Sequence, residues 1–167
     1  SSLKQGILVY GDGTTTPKFR NYDSSANSFD TAASTIAGSS GVSFAMRTSP
    51  TKAEAIAGYI NASGTLQIMC YDGNVWTNEW SIAVGGTGTT RRFDISYETN
   101  TGDVMVAYSR NLAAANALAY RTKPGSSDCG STNWTAATNF ATTPSATTGT
   151  VQWVRMARDR RASSNNL

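Results

Sequence analysis

One period governs this chain. Tyr10, Tyr59 and Tyr108 are spaced by 49 residues, and so are Tyr22, Tyr71 and Tyr120. Phe44 and Phe93 repeat the interval, and Trp153 follows Phe93 after 60 residues. The 11 extra residues of that last interval fall to two polar stretches, 123–131 and 142–149. Self-similarity at a fixed period of this size marks a row of like supersecondary units, each burying a face against its neighbour. We read one repeat domain over 1–167, with copies at about 3–50, 51–99 and 100–164.

The segments around the anchors predict strands. Gly6–Tyr10, Ala55–Tyr59 and Val104–Tyr108 are almost uniformly apolar, the pattern of a strand buried on both faces. Lys18–Asp23, Gln67–Asp72 and Leu118–Arg121 form the second set. The third set, Val42–Arg47, Arg92–Tyr97 and Val151–Arg155, alternates apolar and polar residues, the period-2 signature of a half-buried strand. Between the second and third sets lies a lone aromatic, Phe29, then Trp76 with Trp80, then Trp134, which we read as a shorter strand. Each copy is thus expected to hold about four strands in the order inner, second, third, outer. Asp12-Gly13 and Ala62-Ser63-Gly64 supply turns between the first two. Thr51–Ile60 and Asn111–Tyr120 are rich in Ala, the best helix former. Their register with the other copies predicts strand in both.

Composition agrees with an all-β chain. Ser and Thr number 43 of 167 residues, and Gly adds 15. Charged residues are only 15%, below the usual quarter. This balance is common in secreted proteins, and the expected location is extracellular or on a cell or particle surface. Cys70 and Cys129 are an even pair in such a chain, a candidate disulfide. Asn61-Ala62-Ser63 and Asn133-Trp134-Thr135 match the glycosylation sequon. No run reaches the roughly 20 apolar residues of a membrane-spanning helix, so no membrane insertion is expected. The net charge of +3 is modest and, apart from Arg155, Arg158, Arg160 and Arg161, the Arg residues are scattered. That argues against a nucleic-acid partner, which asks for a basic, aromatic-bearing face.

About four short strands in a repeat of 40–50 residues is the pattern of a β-propeller blade. Tyr71-Asp72-Gly73-Asn74-Val75-Trp76 resembles the Asp-Gly hairpin before a Trp in lectin-like and sialidase-like propellers. The resemblance implies an all-β array of blades, an incomplete propeller or one completed by oligomerisation. The Asp-to-Trp spacing is one residue shorter than in the sialidase box, so no catalytic residue is carried over.

The chemistry-bearing residues point away from catalysis. The chain has no His, and therefore lacks the commonest general base and metal ligand. No phosphate-cradling loop, nucleophile elbow or spaced calcium loop occurs, and no cofactor or metal is expected. Glu54, Glu79, Asp94 and Glu98 are the carboxylates available to a glycosidase pair, a fragment-type reading that ranks last. Trp76, Glu79, Trp80 and Trp134 are the candidate ligand site, because aromatic faces stack on sugars while a nearby carboxylate holds hydroxyls. The same rings could instead fill the space between blades. The sequence therefore predicts a non-enzymatic recognition or adhesion module for a glycan or surface protein. The alternative is a structural subunit that self-associates through exposed strand edges into a fibre or ring.

Overall fold

The computed structural model describes residues 6–13, 16–36, 41–85, 90–112, 116–140 and 150–158. These residues form three four-stranded antiparallel sheets and no α-helix. The sheets do not close into a ring. The first contains β1 (Gly6–Tyr10), β2 (Lys18–Asp23) and two short strands on the far edge of β2, namely β3 (Ser28–Phe29) and β4 (Ser34–Thr35). The second is a meander of β5 (Gly41–Thr48), β6 (Ala55–Asn61), β7 (Thr65–Tyr71) and β8 (Trp76–Ala83). The third repeats it with β9 (Phe93–Tyr97), β10 (Val104–Ser109), β11 (Leu118–Lys123) and β12 (Thr138–Asn139).

Turn chemistry closes the β6–β7, β7–β8 and β9–β10 hairpins. Asn61 Oδ1 accepts the Ser63 and Thr65 N–H groups, and Gly64 takes φ +77° before β7. Asp72 Oδ1 accepts the Asn74 and Val75 N–H groups, and Gly73 takes φ +97°. An Asp that bonds the backbone two and three residues on replaces a missing ladder partner in a tight turn. The Glu98 carboxylate does the same for Asn100 and Thr101 after β9.

The sequence period and the sheets are one strand out of phase. The strand expected as the outer member of the first and second copies pairs with the next copy and becomes its first strand: Phe44 lies opposite Tyr59, and Phe93 opposite Tyr108. The expected order of inner, second, third, outer is corrected accordingly. Three local expectations also change. Of the Asn111–Tyr120 stretch, Asn111, Leu112, Asn116 and Ala117 are not strand, the strand begins at Leu118, and 113–115 lie outside the described residues. Trp134 follows a short 3-10 turn, Ser131–Asn133, and β12 takes the fourth place in the third sheet. Val151–Arg155 forms a single parallel bridge, Trp153 to Arg91, and no strand.

Burial follows the position of each sheet in the row. The second sheet packs on both faces. Ile7, Val9 and Phe19 of the first sheet meet Tyr59, Met69 and Tyr71 on one side. Phe93, Ile95, Tyr97, Val104, Val106 and Tyr108 of the third meet Ile56, Ile68 and Trp80 on the other. Approach there is so close that a Cβ on Gly58 would lie 2.5 Å from Phe93 Cε2. The apolar run of β6 is therefore buried throughout, but the equally apolar β1 is only half-buried. In β9 even the polar positions are buried. Asp94 accepts Arg91 Nη2 at 2.6 Å and the Met156 N–H at 2.9 Å, with Arg47 Nη2 at 3.5 Å. One carboxylate thus ties β5, β9 and the 150–156 segment together.

Candidate functional site

The four residues expected to share a ligand site are divided by one β-bulge. Trp76 and Trp80 sit four apart in β8 and would face the same way in a regular strand. Opposite them, Ile68 pairs Trp80 and Met69 pairs Asn78, which leaves Glu79 as an extra residue. A bulge of this kind flips the parity of everything beyond it. Trp80 therefore turns toward the third sheet, stacking edge-on with Trp134 at 5.6 Å and lying 5.6 Å from Tyr108. Trp76 turns toward the first sheet, against Phe19 and Tyr71.

Glu79, Trp80 and Trp134 are brought together, but in the interior. Each is less than 9% exposed. Glu79 accepts the Trp134 indole N–H at 2.7 Å, the Gly130 N–H at 2.9 Å and the Thr77 hydroxyl at 3.1 Å. The Arg121 guanidinium lies 4.9 Å from the Trp80 ring. This group clasps residues 124–134, the excursion after β11, onto the second sheet. Cys70 of β7 and Cys129 of the excursion are joined by a disulfide in the same place.

A buried ion cluster completes the clasp. Lys123 is fully buried and donates to Glu54 Oε2 at 2.9 Å and to the Ser127 carbonyl at 2.9 Å. Lys52 reaches the same Glu54 oxygen at 3.0 Å and the same carbonyl. Tyr97 donates its hydroxyl to Glu54 Oε1 at 2.9 Å. Burial, then the Glu54 carboxylate, push the Tyr97 hydroxyl far above its ordinary range. Sequence reasoning named Glu54 only among default carboxylates and missed Lys123. The missed signal was the alternation Ala119, Arg121, Lys123, which places a lysine on one face of β11 with a buried alanine.

The carboxylates available for acid–base work are all engaged. Glu54 and Glu79 hold the clasp, Asp94 binds two guanidinium groups, and Glu98 is wrapped by the Asn100 and Thr101 N–H groups, which lower its pKa. Glu54 with Cys70 and Cys129 forms the cluster of potential metal donors among the described residues. Both sulfurs are bonded to each other and offer no thiolate. Of the sequon asparagines, Asn61 lies in the β6–β7 turn, and Asn133 donates to the Asp128 carbonyl at 3.0 Å.

Trp76 is the member of the predicted set that reaches an opening. It lines a groove of about 560 Å3 between the first and second sheets, with Phe19, Ala33, Ser34, Thr35, Asn74 and Val75. Its indole N–H is buried and has no acceptor among the described residues. The groove thus combines an aromatic wall with short polar side chains. No family model, curated protein or solved structure matches this chain.

Proposed function

We propose that this chain is a non-catalytic, extracellular recognition module built of propeller-type blades, and that the groove at Trp76 takes a glycan. The groove between the first and second sheets, with Trp76 beside Ser34, Thr35 and Asn74, carries the reading. A pyranose ring offers an apolar face for Trp76 and Val75, and hydroxyls for Ser34, Thr35 and Asn74. The Cys70–Cys129 disulfide supports an oxidising location.

A glycan array followed by titration calorimetry tests the proposal. Trp76→Ala should weaken binding at least about tenfold, equivalent to roughly 1.4 kcal/mol, with the circular dichroism unchanged. Full binding by that variant, or no glycan bound at millimolar concentration, would refute it.

A second reading rests on a different observation. The outer edge of the first sheet is β1, which has no second partner strand among the described residues, and the sheet carries exposed apolar side chains, Leu8 at 44% and Phe29 at 45%. A flat apolar strand edge is an invitation to pair with another chain. Such an edge supports a structural subunit that joins like neighbours.

A further inference from the structure

We infer that the outward face of the first sheet binds an acidic polysaccharide, with Lys18 and Arg20 holding its carboxylates or sulfates and Tyr10, Tyr22 and Phe29 lying against its sugar rings. The class of polymer rests on the extracellular glycan-recognition reading. The face itself is a second site, since none of these residues lines the Trp76 groove.

Alternation fixes what this face carries. Phe19 packs against Tyr71 and Trp76, and the Tyr71 hydroxyl donates to Asn21 Oδ1 at 3.2 Å, so both point at the second sheet. Their neighbours in β2, Lys18, Arg20 and Tyr22, therefore point the opposite way. In β1, Ile7 and Val9 pack toward the second sheet, which turns Leu8 and Tyr10 outward. Pairing sets these side chains in rows: Tyr10 opposite Lys18, Leu8 opposite Arg20, and Tyr22 between Gly6 and Phe29. Gly6 puts no side chain over the Tyr22 ring, and the Phe29 ring stands 5.2 Å from it on the other side. At about 3.3 Å per residue, the rows span about 13 Å along β2.

The face is open and its charge is unbalanced. Leu8 is 44% and Phe29 45% exposed, and Tyr10, Lys18, Arg20 and Tyr22 are half-buried. Neither Lys18 nor Arg20 enters an ion pair among the described residues. Arg20 donates to the Asp30 carbonyl at 3.0 Å. No position in the rows is acidic.

The equivalent face of the second sheet shows what an apolar occupant requires. There Gln67 lies opposite Tyr59 and Met69 opposite Ala57, in the places that Lys18 and Arg20 hold in the first sheet. That face is uncharged, and the first sheet closes over Tyr59, Met69 and Tyr71. A further sheet or a hydrocarbon layer over Lys18 and Arg20 would instead bury two unpaired cations, which is strongly unfavourable. An anionic partner neutralises them. Rings beside cations suit a pyranose polymer bearing acid groups. The rings cover its C–H faces, while the ammonium and guanidinium groups make charge-assisted hydrogen bonds to carboxylate or sulfate. The oxidising location supported by the Cys70–Cys129 disulfide favours a polysaccharide over a nucleic acid.

Affinity measurements with heparin, polygalacturonate, an oligothymidylate and phosphatidylserine vesicles test the inference. The chain should bind at least one of the two acidic polysaccharides, and release it as salt rises. The double change Lys18→Gln with Arg20→Met installs the second sheet's residues. It should weaken that binding at least about tenfold with the circular dichroism unchanged. Arg20→Gln, a smaller change at a half-buried position, should weaken it in the same direction. Both variants should keep the binding of a neutral glycan at the Trp76 groove. Undiminished binding by folded variants, tighter binding of the oligothymidylate than of either polysaccharide, or binding to the vesicles alone would overturn the inference. A chain that binds neutral glycans on an array but neither acidic polysaccharide would overturn it and leave the recognition reading standing. A chain that binds no glycan of any kind would overturn both.

Discussion

The first and second sheets are built from the same repeat and are buried very differently. Ile7 and Ile56 occupy equivalent positions, yet Ile56 is sealed between two sheets while Ile7 is half-exposed. Tyr10 and Tyr59 differ in the same way. Side-chain chemistry is not the cause, because the residues are alike. What differs is the company: β6 has β5 outside it and a sheet on each face, whereas β1 has β2 on one edge and one packed face. In a row of repeats, energy lies in the contacts between units as much as in the units themselves.

Substitutions can break this contrast, and the largest effects fall on the second and third sheets. Removing the disulfide with Cys70→Ser and Cys129→Ser frees a span of 59 residues in the unfolded chain. The chain-entropy relation assigns that about 4 kcal/mol, to be read from chemical denaturation. Because Cys70 and Cys129 both lie in the clasp between the second and third sheets, the first sheet should keep its spectroscopic signature when the bond is cut. Tyr59→Ala should cost about 3–5 kcal/mol, since it empties a sealed site. Tyr10→Ala should cost about 1 kcal/mol or less in the monomer, since it removes a half-wet side chain. Equal losses would erase the distinction between the sheets.

Glu54→Gln sharpens the account of the clasp. It withdraws the charge that faces fully buried Lys123, and should cost about 3 kcal/mol. Tyr97 sets the alkaline limit of the same cluster. Its hydroxyl is held neutral in the fold, so its contribution is complete below its ordinary pKa of 10.0 and is lost as pH rises beyond it. Unfolding midpoints followed from about pH 8 to about pH 11.5 should fall above pH 10.0, and should fall less in Tyr97→Phe.

The smallest effects should not distinguish the sheets at all. Asp23 and Asp72 are repeat equivalents, and each has its carboxyl pKa lowered by turn hydrogen bonds, from Ser25 in one and chiefly from the Val75 N–H in the other. Their stabilisation is present above about pH 4 and is lost as pH falls through their lowered values. Carboxyl chemical shifts should show both titrating below 3.8. Tyr108→Phe should be neutral or slightly stabilising, because the hydroxyl it deletes is buried without a partner among the described residues.

Much of the fold was legible because the anchors are large aromatics at one spacing. Tyr59, Tyr71, Phe93 and Tyr108 all lie in strands, and of the Ala-rich Thr51–Ile60 run, residues from Ala55 on are strand despite their helical propensity while 51–54 are not. The phase of the sheets was not legible, since a period fixes spacing and says nothing of which neighbours pair. The division of the four candidate residues was not legible for two physical reasons. A bulge at Glu79 reversed the facing of Trp80 relative to Trp76, and no residue type announces a bulge. Trp134 looked like a strand aromatic, but a disulfide at Cys129 and Glu79 draw it into the core instead. The alternation in Phe93–Tyr97 was real, yet it reports two buried faces, one apolar and one centred on Asp94.

The central claim is that, among the described residues, no strand pairs with the outer edge of β1, whereas β5 and β9 lie outside β6 and β10. Hydrogen exchange of the dilute monomer measures this most directly, by comparing β1 with β6. Alternate amides of β1 point away from β2 and have no described acceptor, whereas β6 is paired along both edges. The account predicts that β1 exchanges at least about a hundredfold faster than β6, and that the gap closes as concentration rises. Equal protection of the two strands in the dilute monomer would contradict it.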